Sequence, residues 1–600
     1  MTINSVIFEV KQNIKKRSFE TRSRYLYTIE NQAKKGKIRG KLACGNLAHT
    51  VAASTNEEKH SILDFTKVNL AIVTSYNDMV SAHTPYLEYP NIIKKSLSLL
   101  GNTAQVAGGV PAMCDGITQG NDGMELSLFS RDLIAQSTAI SLSHNTFDGT
   151  LLLGVCDKIA PGQLIGALAF GHLPCAFVPT GPMPTGVSNS EKVSTRQKFV
   201  AGELDKTALQ DMECKAYHSS GTCTFYGTAN TNQLVMEAMG LMLPGSAFVP
   251  PESPLRDKLT EKISTHIATS STIQYGKKAL AKVVDEKSVV NGLVALLASG
   301  GSTNHTIHLV ATARAAGWIV TWDDINTLSQ VVPLLVNMYP NGNADINAFH
   351  QAGGVPCLMN ILNQRDLIFM DANPVYGSML DYLTSPYLDS DNQLCFSKSS
   401  LSKDEKIIAS HSTSFSTQGG LKVLSGNLGR GIMKVSAVDF TDQIITAPAT
   451  VFNSQHDVVK AYQQGLFKED TVIVVRNNGP AANGMPELHK LMPIMGNLMK
   501  RGLKVALLTD GRLSGASGKV PAVIHITPEA KRGGLISKLV NGDLVEINGQ
   551  TGLVNVLADI NHRVPEPFDN EHELFGSGRE LFNLYRQNIS SAEEGASIFY

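Results

Sequence analysis

A short apolar run that ends in three metal-seeking side chains constrains this chain more than any other feature. Residues 151–155 form the run, and Cys156, Asp157 and Lys158 follow it directly. Such a run is typical of a buried strand, and open α/β sheets bind ligands at the carboxyl edge of their strands. Cys is a soft ligand suited to iron–sulfur clusters, whereas Asp is a hard ligand suited to Mg²⁺ or Mn²⁺. We therefore expect an α/β fold with a site at this edge.

Residues 67–383 alternate β-rich runs with Gly-containing loops and helical patterns, as α/β proteins do. The pattern predicts buried strands at 69–74, 151–155 and 176–179. It also predicts a helix over 228–242 whose apolar face comprises Leu234, Val235, Ala238, Met239 and Met242. Because that helix would begin shortly after Cys223, we expect its positive end to favour a thiolate there.

Residues 387–412 are rich in Ser, Asp and Lys, and we interpret them as a linker. Beyond them the pattern predicts short strands at 444–452, 472–475 and 505–509, and a hairpin formed by 541–549 and 551–557. The sequence therefore predicts two domains. Residues 1–395 would form a large N-terminal α/β domain with a parallel sheet, and residues 396–600 a smaller β-rich C-terminal domain.

Composition excludes several classes of function. The 52 basic and 53 acidic residues nearly balance, so there is no global field for nucleic acid or an anionic membrane. The most apolar stretch, 164–178, is too short to span a bilayer. Eight cysteines without a Cys-x-x-Cys pair indicate reduced thiols and a cytoplasmic setting. The first 41 residues carry eleven Lys or Arg, and we expect a solvated, partly helical arm there, with a subunit contact or help in attracting an anionic substrate as the alternatives.

Four further segments combine glycine with reactive side chains: 108–120, 221–231, 478–487 and 509–518. They contain Cys114 with Asp115, Cys223, Glu487 and Ser514, respectively. Each also has a simpler interpretation, because Gly-rich loops are commonly turns and buried cysteines are commonly inert.

Taken together with residues 156–158, these segments resemble the dihydroxy-acid dehydratase / 6-phosphogluconate dehydratase family, in order, over residues 70–549. Within the family, segments 75–83, 300–305 and 426–430 resemble the 6-phosphogluconate branch of the Entner–Doudoroff pathway. The resemblance implies a homodimer, a swivelling, β-barrel-like second domain, and an active site between the two domains.

The resemblance also implies roles for individual residues. Cys156 and Cys223 would hold an iron–sulfur cluster, of the 4Fe–4S type rather than 2Fe–2S. The Mg²⁺ or Mn²⁺ ligands would be Asp115, Asp157, Glu487 and a carbamylated Lys158, and Ser514 would be the catalytic base.

Two positions depart from the family pattern. Ala82, in Ser81-Ala82-His83, stands where the dihydroxy-acid branch has a third cluster cysteine, so the third ligand is either Cys114 or Cys44. Ala481 stands where the family commonly has Lys, which removes one charged contact.

The expected reaction is dehydration of 6-phospho-D-gluconate to 2-dehydro-3-deoxy-6-phospho-D-gluconate. The C2 proton would be abstracted while Mg²⁺ stabilises the enolate and a cluster iron assists loss of the C3 hydroxyl. Another sugar-acid or dihydroxy-acid dehydratase is the alternative, and a non-catalytic iron–sulfur sensor is a remote one. Residues 300–304, before a predicted helix at 306–316, would either contact the phosphate or simply cap that helix.

Overall fold

A computed structural model of the protein describes residues 3–273, 275–399, 401–514, 518–568 and 574–600. Within these ranges the chain forms a large α/β domain with a parallel sheet, followed by a smaller domain built on a β-barrel. The predicted fold class is confirmed. The predicted boundary at 395/396 stays a prediction, and it falls inside a strand, Leu394–Lys398.

The sheet of the N-terminal domain has four parallel strands in the order β2-β1-β3-β4. They are β1 (Asn69–Thr74), β2 (Thr103–Gly109), β3 (Gly149–Leu153) and β4 (Cys175–Phe177). Successive side chains point to opposite faces of a strand, so Leu70 and Ile72 pack into one apolar cluster while Ala71 and Val73 pack into another. Both faces are covered, which explains why β1 and β3 are apolar almost throughout.

Helices surround this sheet. In chain order they are α1 (Ser5–Arg17), α2 (Phe19–Ala33), α3 (Cys44–Val51), α4 (Asn56–Leu63), α5 (Tyr89–Ser98), α6 (Asp115–Thr118), α7 (Ser127–Leu142), α8 (Ile159–Leu168), α9 (Asn189–Val200), α10 (Lys206–Ala216), α11 (Thr228–Ala238), α12 (Pro254–Ser270), α13 (Leu280–Val283), α14 (Glu286–Ala298), α15 (His305–Ala315), α16 (Trp322–Val331), α17 (Ile346–Ala352) and α18 (Gly354–Gln364).

The sequence predicted a solvated, partly helical N-terminal arm. The arm is helical, but one side of it is buried. Ile7, Val10 and Ile14 form an apolar stripe at helical spacing on α1 and are buried in the core of the N-terminal domain. Arg22 on α2 is also buried, and it donates to Ala316 O at 2.6 Å. The arm is therefore packed against the N-terminal domain.

Several predicted elements end earlier than expected, such as the strand predicted at 176–179, which is Cys175–Phe177, and two of them end near a glycine. Strand β3 ends at Leu153, and Gly154 begins the turn, where a Cβ would meet Gln163 Oε1 at 2.1 Å. Helix α11 ends at Ala238 instead of residue 242, because Gly240 takes a φ of 77° and its N–H donates to Glu237 O at 2.8 Å.

The predicted linker at 387–412 is only partly a linker. It overlaps an antiparallel hairpin of β5 (Thr384–Leu388) and β6 (Leu394–Lys398). Further along, Ile408 and Ser416 pair with Val336 and Leu334 of the N-terminal domain. The Ser- and Lys-rich composition therefore hid a segment that is held against the first domain.

The C-terminal domain is a closed barrel in the order β10-β11-β12-β8-β7-β14-β13-β9. Its strands are β7 (Leu421–Gly426), β8 (Gly429–Lys434), β9 (Ile444–Phe452), β10 (Thr471–Val475), β11 (Val505–Thr509), β12 (Ala522–Thr527), β13 (Leu544–Asn548) and β14 (Leu553–Val556). Strands β9 to β12 run parallel to one another, and β13 and β14 form the predicted antiparallel hairpin. The sequence pattern missed β2, β5 to β8 and β12.

Side-chain alternation again divides the core. Val472 and Val474 of β10 point into the barrel, while Ile473 and Val475 pack outward against covering helices. The helices of this domain are α19 (Gln455–Gln463), α20 (Pro480–Asn483), α21 (Leu491–Lys500) and α22 (Asn583–Asn588).

Short 3₁₀ helices complete the described structure, at Ile38–Lys41, Thr84–Leu87, Asp122–Leu126, Asp381–Leu383, Phe440–Gln443, Ala530–Arg532, Leu535–Lys538, Arg579–Phe582 and Ala592–Glu594. No helix in the described ranges combines the length and the apolar character needed to cross a membrane.

Candidate active site

Two loops at the same edge of the parallel sheet carry the predicted ligands of the N-terminal domain. Strand β2 leads to Cys114 and to Asp115, the first residue of α6. Strand β3 leads to the turn of Cys156, Asp157 and Lys158, which precedes α8. Because β2 and β3 both pair with β1 in parallel, the two loops emerge side by side.

The turn after β3 has an unusual backbone that neighbouring side chains hold in place. Cys156 has a φ of 69°, a left-handed conformation that disfavours residues with a Cβ. Asn232 of α11, which is fully buried, donates through Nδ2 to Cys156 O and to Asp157 O, both at 2.9 Å. On the other side, Val155 N donates to His83 Nε2 at 3.3 Å. These bonds fix the direction in which the cysteine and the aspartate leave the sheet.

Three of the predicted metal ligands come together across the two domains. Asp115, Asp157 and Glu487 each offer an oxygen, and these oxygens lie within 4.8 Å of one another. Asp115 and Glu487 are buried, and Asp157 is half-buried. The arrangement brings two carboxylates of the sheet edge together with one from the barrel domain, as the resemblance implied.

Two cations balance these carboxylates. Lys158 Nζ, fully buried, contacts Asp115 Oδ2 and lies 3.5 Å from Asp157 Oδ2. Arg512 of the barrel domain donates to Glu487 Oε1 at 2.6 Å and to Asp115 Oδ2 at 3.1 Å. Arg512 therefore connects the carboxylate of one domain with that of the other.

Burial and charge act differently on the acids. Burial would raise the pKa of Asp115, but Lys158 and Arg512 outweigh it and hold that pKa well below its usual range. For Glu487, burial and the neighbouring Asp115 raise the pKa to about 8. Burial also raises the pKa of Asp157, against the opposing effect of Lys158. Three carboxyl groups thus share two cations, and the raised pKa values of Asp157 and Glu487 reflect their crowding.

The barrel domain presents its residues on loops after two parallel strands. The chain after β10 passes through α20 to Glu487, and the chain after β11 passes through Asp510 to Arg512. The two loops pair with each other, since Glu487 and Arg512 form a β-bridge and Leu488 N donates to Arg512 O at 3.0 Å. Asp510 braces the base of both loops by accepting from Asn478 N at 2.9 Å.

Three cysteines lie close enough to influence one another. The pKa values of the Cys156 and Cys223 thiols are raised by burial first and then by Cys114, and burial also raises the pKa of Cys114. All three retain partial exposure. Cys44, in contrast, is exposed at the start of α3, and no described contact connects it with these three. Of the two candidates for the third cluster ligand, the geometry favours Cys114.

One expectation about Cys223 is wrong. We expected the start of α11 to favour a thiolate, but the surroundings raise the pKa of Cys223 to about 12. Burial is the main cause, and nearby Cys114 and Asp157 act in the same direction. Desolvation and negative neighbours therefore outweigh the end of the helix.

Ser514 follows Arg512 in the loop after β11 and is half-buried. The preceding residue is anchored to the N-terminal domain, since Asn304 Nδ2 donates to Leu513 O at 3.0 Å. The role of Ser514 as a base stays a prediction. If Ser514 is not the base, Ser517 and His83 are the alternatives, and Ser517 lies outside the described residues. His83, the other alternative, is fully buried against Val155, and burial lowers its pKa to about 4.

The loop at 300–304 uses its backbone within the protein. The N–H groups of Gly300 and Gly301 donate to Leu297 O and Leu296 O at 3.2 and 2.9 Å. Ser302 N donates to Thr231 Oγ1 at 3.1 Å, and Asn304 N donates to the Ser302 hydroxyl at 3.2 Å. Helix α15 follows at His305. These bonds engage the backbone N–H groups within the protein, which argues against a phosphate contact. Those of Gly300 and Gly301 end α14, and the N-cap residue of α15, Asn304, makes no side-chain capping bond.

Ala481, the second departure, lies in α20. Its N–H donates to Glu529 Oε1 and Oε2, both at 3.1 Å. Burial, followed by Asp510, raises the pKa of Glu529 to about 7. The Glu529 carboxylate therefore contacts the backbone N–H of Ala481, at the position where a Lys would add a positively charged side chain.

Sequence reasoning missed two functional candidates. Arg512 belongs to the Gly-rich segment 509–518, but nothing in the sequence showed that its charge would be buried between two acids. Asn232 was recognisable as a polar residue among the apolar residues of α11, although its partners, the carbonyls of Cys156 and Asp157, were not.

Comparison with known proteins identifies the class. The family model for the N-terminal part of dihydroxy-acid/6-phosphogluconate dehydratases matches residues 67–382, and the model for the C-terminal part matches residues 406–596. The chain belongs to this family of dehydratases, which are hydro-lyases.

Individual relatives extend over the whole chain. It is 54% identical over 600 residues to "Phosphogluconate dehydratase" of Escherichia coli, covering 99% of each chain. It is 51% identical to the protein of the same name from Pseudomonas aeruginosa, covering 99% of this chain and 98% of the relative. It is 31% identical to "Dihydroxy-acid dehydratase" of Campylobacter jejuni, covering 89% of this chain and 95% of the relative.

Proposed function

We propose that this protein dehydrates 6-phospho-D-gluconate to 2-dehydro-3-deoxy-6-phospho-D-gluconate and water. The observation that carries the proposal is the meeting of Asp115, Asp157 and Glu487 beside Lys158, with oxygens within 4.8 Å. The names of the relatives that are half identical to the chain supply the substrate.

The three carboxylates suit a hard divalent cation. Mg²⁺ and Mn²⁺ prefer oxygen ligands, and Asp115, Asp157 and Glu487 offer only oxygen. Lys158 would add another oxygen donor as a carbamate. Its neutral amine would attack CO₂, forming an N–C bond and releasing a proton to water, and the positive charge beside Asp115 would be replaced by a negative one. A free ammonium at this position would repel the ion.

The three thiols suit an iron–sulfur cluster. Cys114, Cys156 and Cys223 are soft ligands, and each must lose its proton on binding. Three cysteine ligands, rather than four, would leave one iron of a 4Fe–4S cluster without a protein ligand. Their partial exposure is consistent with access for a substrate.

The reaction is difficult because the C2 proton is weakly acidic and hydroxide is a poor leaving group. When bound, Mg²⁺ and the cluster iron would supply Lewis-acid stabilisation to the enolate oxygen and to the departing hydroxyl. Ser514, as its alkoxide, would take the C2 proton, the electron pair of that C–H bond would form the C2–C3 double bond, and the C3–O bond would break with release of hydroxide. The proton would then pass from the Ser514 hydroxyl to this hydroxide, which gives water and restores the alkoxide. The enol would then tautomerise to the ketone. Arg512 would keep Glu487 and Asp115 in register across the domain boundary.

The test is a substrate panel with the anaerobically purified protein, together with iron and sulfide analysis. We expect turnover of 6-phosphogluconate well above that of gluconate or 2,3-dihydroxyisovalerate. We also expect activity to fall in air and to return with iron and thiol under anaerobic conditions. Full activity of an iron-free, air-treated protein would overturn the cluster assignment. Preference for 2,3-dihydroxyisovalerate would favour the second candidate, a dihydroxy-acid dehydratase like the 31% identical relative.

A further inference from the structure

A buried lysine near the cysteines lacks an anionic partner. Lys192 on α9 is only 3% exposed. Its Nζ lies 3.4 Å from Thr224 Oγ1, and within the described ranges this is its sole hydrogen bond and no carboxylate lies at salt-bridge distance. A buried ammonium with so few partners is costly, by several kcal/mol on general grounds.

Two other buried cations have more hydrogen-bond partners, whereas Lys11 on α1, also buried, has only the rings of Phe8 and Phe369 as described partners. Lys434 donates to Gly300 O at 2.7 Å and to Gly301 O at 3.3 Å. Arg256 donates to two carbonyl oxygens, those of Ser246 and Val249, both at 2.6 Å. Compared with Lys434 and Arg256, Lys192 has few hydrogen-bond partners. Its charge therefore indicates a role other than stabilising the fold.

Lys192 lies at the edge of the candidate active site. Its one partner, Thr224, directly follows Cys223, and its Nζ is 6.0 Å from the centre of the Tyr217 ring. Cys223 and Tyr217 are themselves electrostatic neighbours. Lys192 therefore lies on the side of the site that carries the cysteines. Its described contacts do not include the clustered carboxylates.

Helix α9 also borders the barrel domain. Gln197 accepts through its backbone oxygen from Asn497 Nδ2 at 3.1 Å and through its side chain from Lys500 Nζ at 2.6 Å. Asn497 and Lys500 belong to α21, the helix that follows Glu487 in the chain. Helix α9, which carries Lys192, therefore contacts the same barrel domain that supplies Glu487.

The next cation on the helix is already neutralised. Arg196, one turn beyond Lys192, forms a two-point pair with Glu213, with distances of 2.7 and 2.8 Å. That pair leaves the charge of Lys192 as the uncompensated one. Burial, followed by Arg196, lowers the pKa of Lys192, while Cys223, Asp345 and Glu213 act in the opposite direction.

We propose that Lys192, with the hydroxyl of Thr224, binds the phosphate monoester of the substrate. The inference rests on the proposed function. With C1 and C2 of the sugar acid at the carboxylate cluster and C3 at the cysteines, the phosphorylated end of the chain lies beyond the cysteines, where Lys192 is. Lysine and hydroxyl donors are suited to phosphate oxygens.

The experiment compares Lys192→Met with the matched control Lys198→Met, on the exposed side of the same helix, in the anaerobic holoenzyme. Three constants are measured: KM for 6-phosphogluconate and the competitive inhibition constants of gluconate and of inorganic phosphate. For Lys192→Met we expect KM for 6-phosphogluconate to rise about 10- to 100-fold, with a parallel rise for inorganic phosphate, as for loss of a charged hydrogen bond. The constant for gluconate, which has no phosphate, and the iron content should stay within twofold of wild type.

Stability supplies a second readout. Met keeps the length of the lysine side chain without its charge, so the unfolding midpoint of Lys192→Met should equal or exceed that of wild type. A lower midpoint would show that the ammonium serves the fold and would overturn the inference. Equal changes in the constants for gluconate and 6-phosphogluconate, or no change in either, would overturn it as well. A wild-type enzyme that does not turn over 6-phosphogluconate would refute the proposed function itself, and the phosphate site with it.

Discussion

The two domains place their reactive side chains by the same rule but balance their charges differently. In the N-terminal sheet, Asp115 and the Cys156–Lys158 turn follow the parallel strands β2 and β3. In the barrel, Glu487 and Arg512 follow the parallel strands β10 and β11. Both domains therefore use the carboxyl ends of parallel strands, although one sheet is open and the other is closed.

The difference lies in where each cation finds its partner. Lys158 contacts Asp115 and Asp157 of its own domain, whereas Arg512 contacts both Glu487 of its own domain and Asp115 of the other. The N-terminal domain thus supplies two of the three clustered carboxylates, and the barrel supplies the third together with the cation that contacts both domains. The comparison predicts that variants of the two cations fail in different ways.

The largest effect is expected for Lys158→Arg. Arginine cannot form the carbamate and would keep a positive charge beside Asp115, so Mg²⁺-dependent dehydration should be abolished. Iron content and the unfolding transition should remain close to wild type, and both are measured beside activity. Near-normal turnover of this variant would show that carbamylation has no part in the reaction.

Arg512→Gln should act on stability as well as on activity. Removal of the guanidinium leaves Glu487 buried without its cation and Asp115 with Lys158 alone, so the free energy of unfolding should fall by about 3–5 kcal/mol. Denaturant titration of the metal-free protein measures it, with the exposed Arg501→Gln in the same domain as a control expected within about 0.5 kcal/mol of wild type. Equal stability of the two variants would mean that Arg512 does not link the domains.

Ser514→Ala tests the barrel's contribution to the chemistry. Loss of the base should lower kcat by at least about 10²-fold, while KM changes little because the other substrate contacts remain. Exchange of the C2 proton in deuterated water, followed by NMR, should disappear in parallel. If this variant keeps most of its turnover and its exchange, the base is a different group.

A smaller effect is expected at Asn232, which positions the Cys156 turn of the N-terminal domain. Asn232→Leu keeps much of the side-chain volume but loses the donor, and activity should fall about 10- to 100-fold with an altered absorption spectrum of the cluster. Asn232→Ala, which also leaves a cavity, should show the same spectral change. Wild-type spectra in both variants would mean that the hydrogen bonds to Cys156 O and Asp157 O are unimportant.

These comparisons also show what the sequence could predict. Strands β1, β9 and β11 were predicted with the observed bounds, because their apolar runs are buried on both faces or end in clear turns. Strands β7 and β8 were missed because Gly and Lys interrupt the apolar pattern in Leu421–Gly426 and Gly429–Lys434. The hairpin at β5 and β6 was missed because its residues are mostly half-exposed and polar.

For the site, the predicted residues were found by motif, and the structure brings Asp115, Asp157 and Glu487 together. The motifs could not predict which residues contact each other across the two domains. Arg512 contacts Asp115 from almost the other end of the chain, and Asn232 contacts the Cys156 turn from a helix. Such contacts depend on tertiary packing, which local sequence patterns do not encode.

We propose that both domains contribute ligands to one divalent cation. Binding of Mn²⁺ to the anaerobic protein, measured by electron paramagnetic resonance, tests it most directly when wild type is compared with Asp157→Asn and Glu487→Gln. We predict that each substitution, one in each domain, weakens Mn²⁺ binding at least about tenfold, because each removes an oxygen ligand. Wild-type Mn²⁺ affinity in Glu487→Gln, with loss in Asp157→Asn alone, would contradict it.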